Sequence, residues 1–348
     1  MNGTGALKAF IGSFTSKGGP GIVHATVDPH TGALTAAGII ETVPDPSYLA
    51  VGHRDRGPVL YCVSETAQGA VAGFDVSGPV PRLLGEPVPT GAAEPTHLTV
   101  HEDHLMTADY GSGSVTLLPL AADGTPLAPS SVLPHEGSGP HPERQLAPHA
   151  HQVLQDPSGD WVLSVDLGTD SVRVCCLDPH TGQLTLHHVM DLPPGTGPRH
   201  LAFHPRGDHA YVLGELRPTV TVCRWNPATG VLQPIEERPL FPDGVGVPVQ
   251  PSAPVVSQDS RHLWAAVRGT DTIAVLSLDE TGEVMRVVTS VPCGGRWPRD
   301  LALHPAGAHL YAANERSGDV TWFDLDESGV PRRSGSLAVP AASAVVFA

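Results

Sequence analysis

Two phrases in this chain put an arginine at a matched place, just after an opening proline and ahead of a strand that ends in polar residues. They are Pro198-Arg199-His200 followed by Gly214-Glu215, and Pro298-Arg299-Asp300 followed by Asn314-Glu315. Arg199 and Glu215 form the most promising pair. A guanidinium can bind a carboxylate or phosphate bidentately, or stabilise an oxyanion. A carboxylate beside it can move a proton or orient water, and a plain salt bridge is the alternative without chemistry. His149 and His151 are spaced i, i+2, which on a strand aims both to the same side. With His135 and His141 upstream, metal ligation is conceivable. No Cys₄ set and no H-E-x-x-H motif is present, so neither a metal nor a cofactor is expected. A phosphate-binding glycine loop and a G-x-S-x-G nucleophile turn are missing as well.

The elements that must hold these residues repeat about every 50 positions. Each unit opens on a proline and a short apolar strand, often closed by His-Pro, and a second strand returns after a polar turn. Weaker copies open at Pro46-Ser47-Tyr48, Pro95-Thr96-His97, Pro148-His149-Ala150-His151 and, most eroded, Ala253-Pro254-Val255. Third strands follow, among them Ser171 to Leu177 and Thr272 to Leu278. Turns such as Asp28-Pro29-His30-Thr31-Gly32 and Asp178-Pro179-His180-Thr181-Gly182 then lead to an outer strand. A repeat of this length built from short strands predicts a β-propeller. The 348 residues hold about seven such units, giving an all-β, seven-bladed propeller of four-stranded antiparallel blades in a single domain, residues 1–348. The apolar stretch Ala341 to Ala348 is expected to complete the blade begun by Ala9 to Phe14, closing the ring by joining the termini.

In such a fold the start of each first strand and the end of each second strand meet at one mouth of the channel. The openers supply Tyr48, Thr96, His97, His149, His151, Arg199, His200, Arg299 and Asp300. The second-strand ends supply Glu65, Asp109, Asp166, Glu215, Arg268 and Asn314. The longest irregular stretch, Leu133 to Ala147, is expected to cover that mouth.

Composition narrows the partners. A net charge of −16 argues against nucleic acid and anionic membrane surfaces. Only Lys8 and Lys17 are lysines, so an anionic ligand would depend on clustered arginines. Five cysteines lack C-x-x-C spacing, and the four that lie inside apolar strand patterns read as reduced core thiols. Neither a leader pattern nor an apolar run near 18 residues is visible, and a cytoplasmic protein is expected.

The combination Arg144-Gln145, Pro148-His149-Ala150-His151-Gln152-Val153, Asp166-Leu167-Gly168-Thr169-Asp170, Gly197-Pro198-Arg199-His200, Gly214-Glu215-Leu216 and Trp297-Pro298-Arg299-Asp300-Leu301 resembles the seven-bladed lactonase family over essentially the whole chain. That family includes propeller-type 6-phosphogluconolactonases and fungal 3-carboxy-cis,cis-muconate lactonising enzymes. The resemblance implies a metal-independent site in the channel mouth, with catalytic roles on His149 or His151, Arg199, Glu215 and Arg268. Arg144, Asp166, Arg299, Asn314 and His97 are expected to contact substrate. Three departures from the family pattern stand out: Gly214 where an Asn precedes the acid, Ala266-Val267 where Ser-Asn precede Arg268, and Ala253-Pro254 in place of Ala-Glu.

The expected activity is hydrolysis of a sugar-derived or carboxylated lactone, with 6-phospho-D-glucono-1,5-lactone as the family default. Glu215 or a channel histidine would activate water, and the arginines would bind an anionic group. A cycloisomerase or lyase using the same residues is the first alternative. A non-enzymatic binding propeller is the second, disfavoured by an aromatic content of only 5% and a charged ring.

Overall fold

The computed structural model describes residues 7–41, 43–178 and 180–348, so part of the start of the chain that was read for a leader, and Pro179 of the second turn copy, lie outside it. Seven four-stranded antiparallel sheets are arranged as blades, each with its strands in sequential order from the channel outwards. Blade 1 takes its innermost strand, Ala342–Phe347, from the end of the chain. It pairs with Lys8–Ser13 in the register Phe10↔Val346 and Ile11↔Val345. The innermost strands of blades 2 to 7 are Leu49–Arg54, Pro95–His101, Ala150–Gln155, Pro198–Phe203, Gln250–Val256 and Pro298–Leu303. Among the described residues no helix is long and apolar enough to cross a membrane.

Alternation of side chains along the strands explains the core. Each seam between neighbouring blades is filled by its own apolar cluster, such as Tyr61, Val63, Leu98 and Leu105 between blades 2 and 3. Blade 1 meets blade 7 through Ile11, Val23, Tyr311 and Val320, so the joined termini are sealed by packing as well as pairing. The Thr-Gly turns join third and outer strands, and they also link the blades. Tyr311 donates its hydroxyl to Gly32 O at 2.7 Å, and Tyr211 donates to Gly282 O at 2.8 Å. Gly32 sits at φ 64°, a conformation a side chain would strain, and an added Cβ would lie 2.7 Å from His309.

The channel mouth is shaped by a repeated irregularity. Near the start of the innermost strands one residue is left unpaired: Thr96 between Pro95 and His97, His151 between Ala150 and Gln152, Arg199 between Pro198 and His200, and Arg299 between Pro298 and Asp300. Such a bulge re-aims a side chain. In several blades a residue ahead of the innermost strand adopts positive φ: Glu94, Gly197, Trp297 and Ala341 directly before it, and Asp45 four residues before Leu49. Its carbonyl accepts the N–H of the residue just past the second strand, as in Glu215 N to Gly197 O (2.8 Å) and Glu315 N to Trp297 O (3.1 Å).

This register corrects two alignments of the repeats. In blade 4 Ala150, not Pro148, stands opposite Asp166, so His151 occupies the place of Arg199 and His149 lies before the strand. In blade 6 the opener is Pro251, paired with Val267, and Pro254 lies further along opposite Ala265. The Pro254 departure is therefore not beside Arg268.

Candidate active site

A cavity of about 310 Å³ opens at the mouth, lined by residues that include Glu65, Thr96, Tyr110, Arg144, His151, Glu215, Arg268 and Arg299. Its centre of charge is Glu215, only 2% exposed. One carboxylate oxygen is 2.8 Å from Arg144 Nη2; the other is 2.7 Å from Arg268 Nη2 and 3.3 Å from Arg199 Nε. The first two contacts are hydrogen bonds, while Arg199 Nε is close without hydrogen-bond alignment. Burial alone would raise the Glu215 pKa, but Arg268, Arg199, His151 and Arg144 outweigh it and hold the carboxyl well below the usual range. Burial and then Arg268 push the Arg199 guanidinium down to about 9.

Four separate pieces of chain build this cluster. Glu215 follows the second strand of blade 5, His209–Gly214; Arg199 is the bulged residue of that blade's innermost strand; and Arg268 ends the second strand of blade 6, His262–Arg268. Arg144 comes from the irregular segment between blades 3 and 4, which does reach the mouth. Gln145 anchors that segment from a fully buried position. Its amide donates to Leu167 O (2.9 Å) and to Asp170 Oδ1 (2.7 Å), and its carbonyl accepts His141 N (3.0 Å). His135 Nδ1 meets Asp166 Oδ2 at 2.6 Å and anchors the segment's other end.

A second charge centre lies across blades 7 and 1. Glu315 is 3.0 Å from Arg299 Nη1 and 2.8 Å from Lys17 Nζ, which follows the second strand of blade 1, Lys8–Ser13. Arg316 lies over the Trp297 ring at 3.3 Å. Altogether five cations (Lys17, Arg144, Arg268, Arg299, Arg316) and three carboxylates (Glu65, Glu215, Glu315) line the cavity of a chain whose net charge is −16.

The two histidines part company. His151 lines the cavity and is kept neutral by burial and by Arg199, which hold its pKa well below the usual value. His149 is stacked on Tyr110 at 4.3 Å between centroids, with Nδ1 2.8 Å from Tyr110 O, and does not line the cavity. His97 packs deeper in the channel, 4.1 Å from the Tyr48 ring and 5.2 Å from His200, its pKa lowered to about 3 by burial and Arg199.

Asp166 and Asn314, expected to meet substrate, do not line the cavity. Both are fully buried at the last residue of a second strand, as is Asp109. The Asp166 carboxylate accepts the N–H groups of His149, Gly168 and Thr169 as well as meeting His135. Asn314 donates to Thr321 Oγ1 at 3.1 Å. The residues that reach the mouth are Glu65, Tyr110, Glu215 and Glu315, each one position past the second strand, and Arg268. Arg268 ends its strand but holds the same place, because Val267 pairs with Pro251 as Gly214 pairs with Pro198. A shift of one residue on a strand exchanges the faces, so the expected list had mixed two levels. Tyr110 and Glu315 were missed on that account, although they follow Asp109 and Asn314 as Glu215 follows Gly214. Lys17, Trp297, Arg316 and Gln250 carry no repeat signature. Among the described residues no group of three or more His, Cys, Asp or Glu is placed to hold a metal ion.

Residues 8–347 match the family model for the lactonase seven-bladed β-propeller. The chain is 33% identical over 324 residues, 91% of each chain, to a 6-phosphogluconolactonase of Bacillus subtilis. Among solved structures it superposes on a periplasmic gluconolactonase of Pseudomonas aeruginosa with a TM-score of 0.90 at 28% identity, covering 99% of both chains. A Lactobacillus plantarum protein gives a TM-score of 0.92 at 27% identity, covering 99% of this chain and 100% of that one. The chain belongs to the seven-bladed β-propeller lactonase family.

Proposed function

We propose that the protein hydrolyses an anionic sugar-derived lactone, with 6-phospho-D-glucono-1,5-lactone as the preferred substrate. The observation that carries this reading is the excess of cations on the cavity wall of an acidic protein. The Bacillus subtilis relative is named for the phosphorylated lactone and the Pseudomonas aeruginosa neighbour for an unphosphorylated one. Two separate cationic centres favour the phosphorylated substrate, because one can hold the phosphate while the other acts on the ester.

Of the two, the Lys17–Arg299 pair is the more open, with Lys17 about half exposed, and suits a solvated phosphate. Arg199 and Arg268 are buried deeper, where a guanidinium facing the lactone carbonyl counts most when that oxygen becomes negative. Glu215 is a poor base, since every arginine that approaches it favours the ionised form. Its role is to fix the guanidiniums. His151 is buried and on the cavity wall, and it accepts the proton of the attacking water as the charge it gains is offset by the Glu215 carboxylate, which works against the lowering by burial and Arg199.

The test is hydrolysis of freshly generated 6-phosphogluconolactone by chelator-treated protein, followed by NMR against the spontaneous rate and compared with glucono-1,5-lactone. Acceleration that is stronger for the phosphorylated lactone is expected. A folded sample that leaves both lactones at their spontaneous rates refutes the proposal.

A further inference from the structure

Three carboxylates stand at one level of the mouth, where their N–H groups bond to a positive-φ residue that precedes the innermost strand, directly or by four residues: Glu65 N to Asp45 O, Glu215 N to Gly197 O and Glu315 N to Trp297 O. Two of them are committed to arginine and lysine partners. Glu65 is different. Among the described residues it forms no ion pair, and its carboxylate accepts a hydrogen bond from the Ser47 hydroxyl. It nonetheless lines the cavity, in blade 2, three blades round the ring from Glu215 in blade 5. An acid on that wall faces a lactone held by the arginines of blades 5 and 6 from the opposite side, while His151 approaches from blade 4.

We propose that Glu65 is the general acid of lactone opening, delivering a proton to the ring oxygen as its bond to the carbonyl carbon breaks. The step rests on the lactone-hydrolase reading above. Water gives one proton to His151 as its oxygen bonds to the carbonyl carbon. The tetrahedral oxyanion then collapses, the electron pair of the C–O ring bond passes to the ring oxygen, and the Glu65 proton follows it. The new carboxylic acid ionises and returns a proton to Glu65, and His151 releases its proton to solvent, so that water has been added across one ester bond. An alkoxide is a poor leaving group, and a positioned acid is what such a step needs.

The surroundings suit a carboxyl that carries its proton. Burial raises the Glu65 pKa, against the lowering influence of Arg299 from blade 7, the Ser47 hydroxyl, Arg199 from blade 5 and Thr96 from blade 3. Lys17 and Glu315 share the cavity, paired with each other at 2.8 Å.

The experiment is the pH dependence of kcat and KM on 6-phosphogluconolactone, spontaneous hydrolysis subtracted, for wild type, Glu65→Gln and Ser47→Ala. Glu65→Gln is expected to lower kcat about thirtyfold or more, to leave KM within about threefold, and to abolish the fall of kcat on the basic side. Removing the Ser47 hydroxyl takes away a group that favours the ionised acid, so Ser47→Ala should move that basic limb to higher pH. A Glu65→Gln enzyme within threefold of wild-type kcat, or one that keeps the basic limb, overturns the proposal; so does an unmoved limb in Ser47→Ala. Wild type without activity on either lactone would instead refute the parent reading.

Discussion

Substituting Glu215 by Gln should separate what this carboxylate does for stability from what it does for the reaction. The side chain keeps its shape, but three guanidiniums, at 2.7, 2.8 and 3.3 Å, lose the anion they share. Breaking a buried ion pair by removing one partner costs about 3–5 kcal/mol, and an amide oxygen that still accepts one hydrogen bond places this case near 3. Unfolding entropy of about 2.1 cal/mol/K per residue over 348 residues converts that to a fall in Tm of about 4 °C. The pH dependence gives the sharper check. The folded pKa is depressed below an unfolded value of about 4.3, so the stabilisation is fully present above that pH and is lost as the pH falls towards the folded value. The Tm gap between wild type and Glu215→Gln should be full at pH 7 and narrow below pH ~4. Activity should fall about a hundredfold or more, because displaced guanidiniums no longer meet the developing oxyanion. Calorimetry at pH 7 and at pH 3.5, with kcat/KM at pH 7, tests all three points. A gap that stays constant across that range, or a variant more stable than wild type at pH 7, would refute the ion-cluster reasoning.

Other substitutions probe the remaining parts of the site. Gln145→Ala removes the buried anchor of the segment that carries Arg144, leaving Leu167 O and Asp170 without its amide. It should cost about 1–3 kcal/mol and lower kcat/KM about tenfold, whereas Arg144→Ala should give the kinetic loss with little change in Tm; the opposite pattern would separate the segment from catalysis. Lys17→Ala with Arg299→Ala should raise KM for 6-phosphogluconolactone about tenfold or more and leave glucono-1,5-lactone almost unchanged, an equal effect on both lactones excluding a phosphate contact. Raising salt from 0.05 to 0.5 M should weaken kcat/KM for the phosphorylated lactone more than for the neutral one, and parallel curves would count against the anionic-substrate reading.

The blade repeat, the closure by Ala342–Phe347 and the pairing of Arg199 with Glu215 were all legible in the chain. Short strands with period-two patterning and glycine turns recur locally, and a hairpin fixes which residues share an end of a blade. Register was not legible to one residue. Asp109 and Asn314 look like mouth residues in the chain, but alternation turns them into the blade, and the mouth receives Tyr110 and Glu315 instead. The bulge that selects His151 over His149 is likewise a property of pairing with the neighbouring strand, and no spacing in the chain announces it. Arg144 meets Glu215 across 71 positions, and Lys17 meets Glu315 across 298. Contacts of that separation exist only in the assembled ring: closure brings blade 1 beside blade 7, and anchoring on Asp166, Leu167 and Asp170 of blade 4 brings the segment after Pro134 to the mouth. The chemistry available at the site was thus written in residue types, and tertiary pairing decided which of them face the cavity.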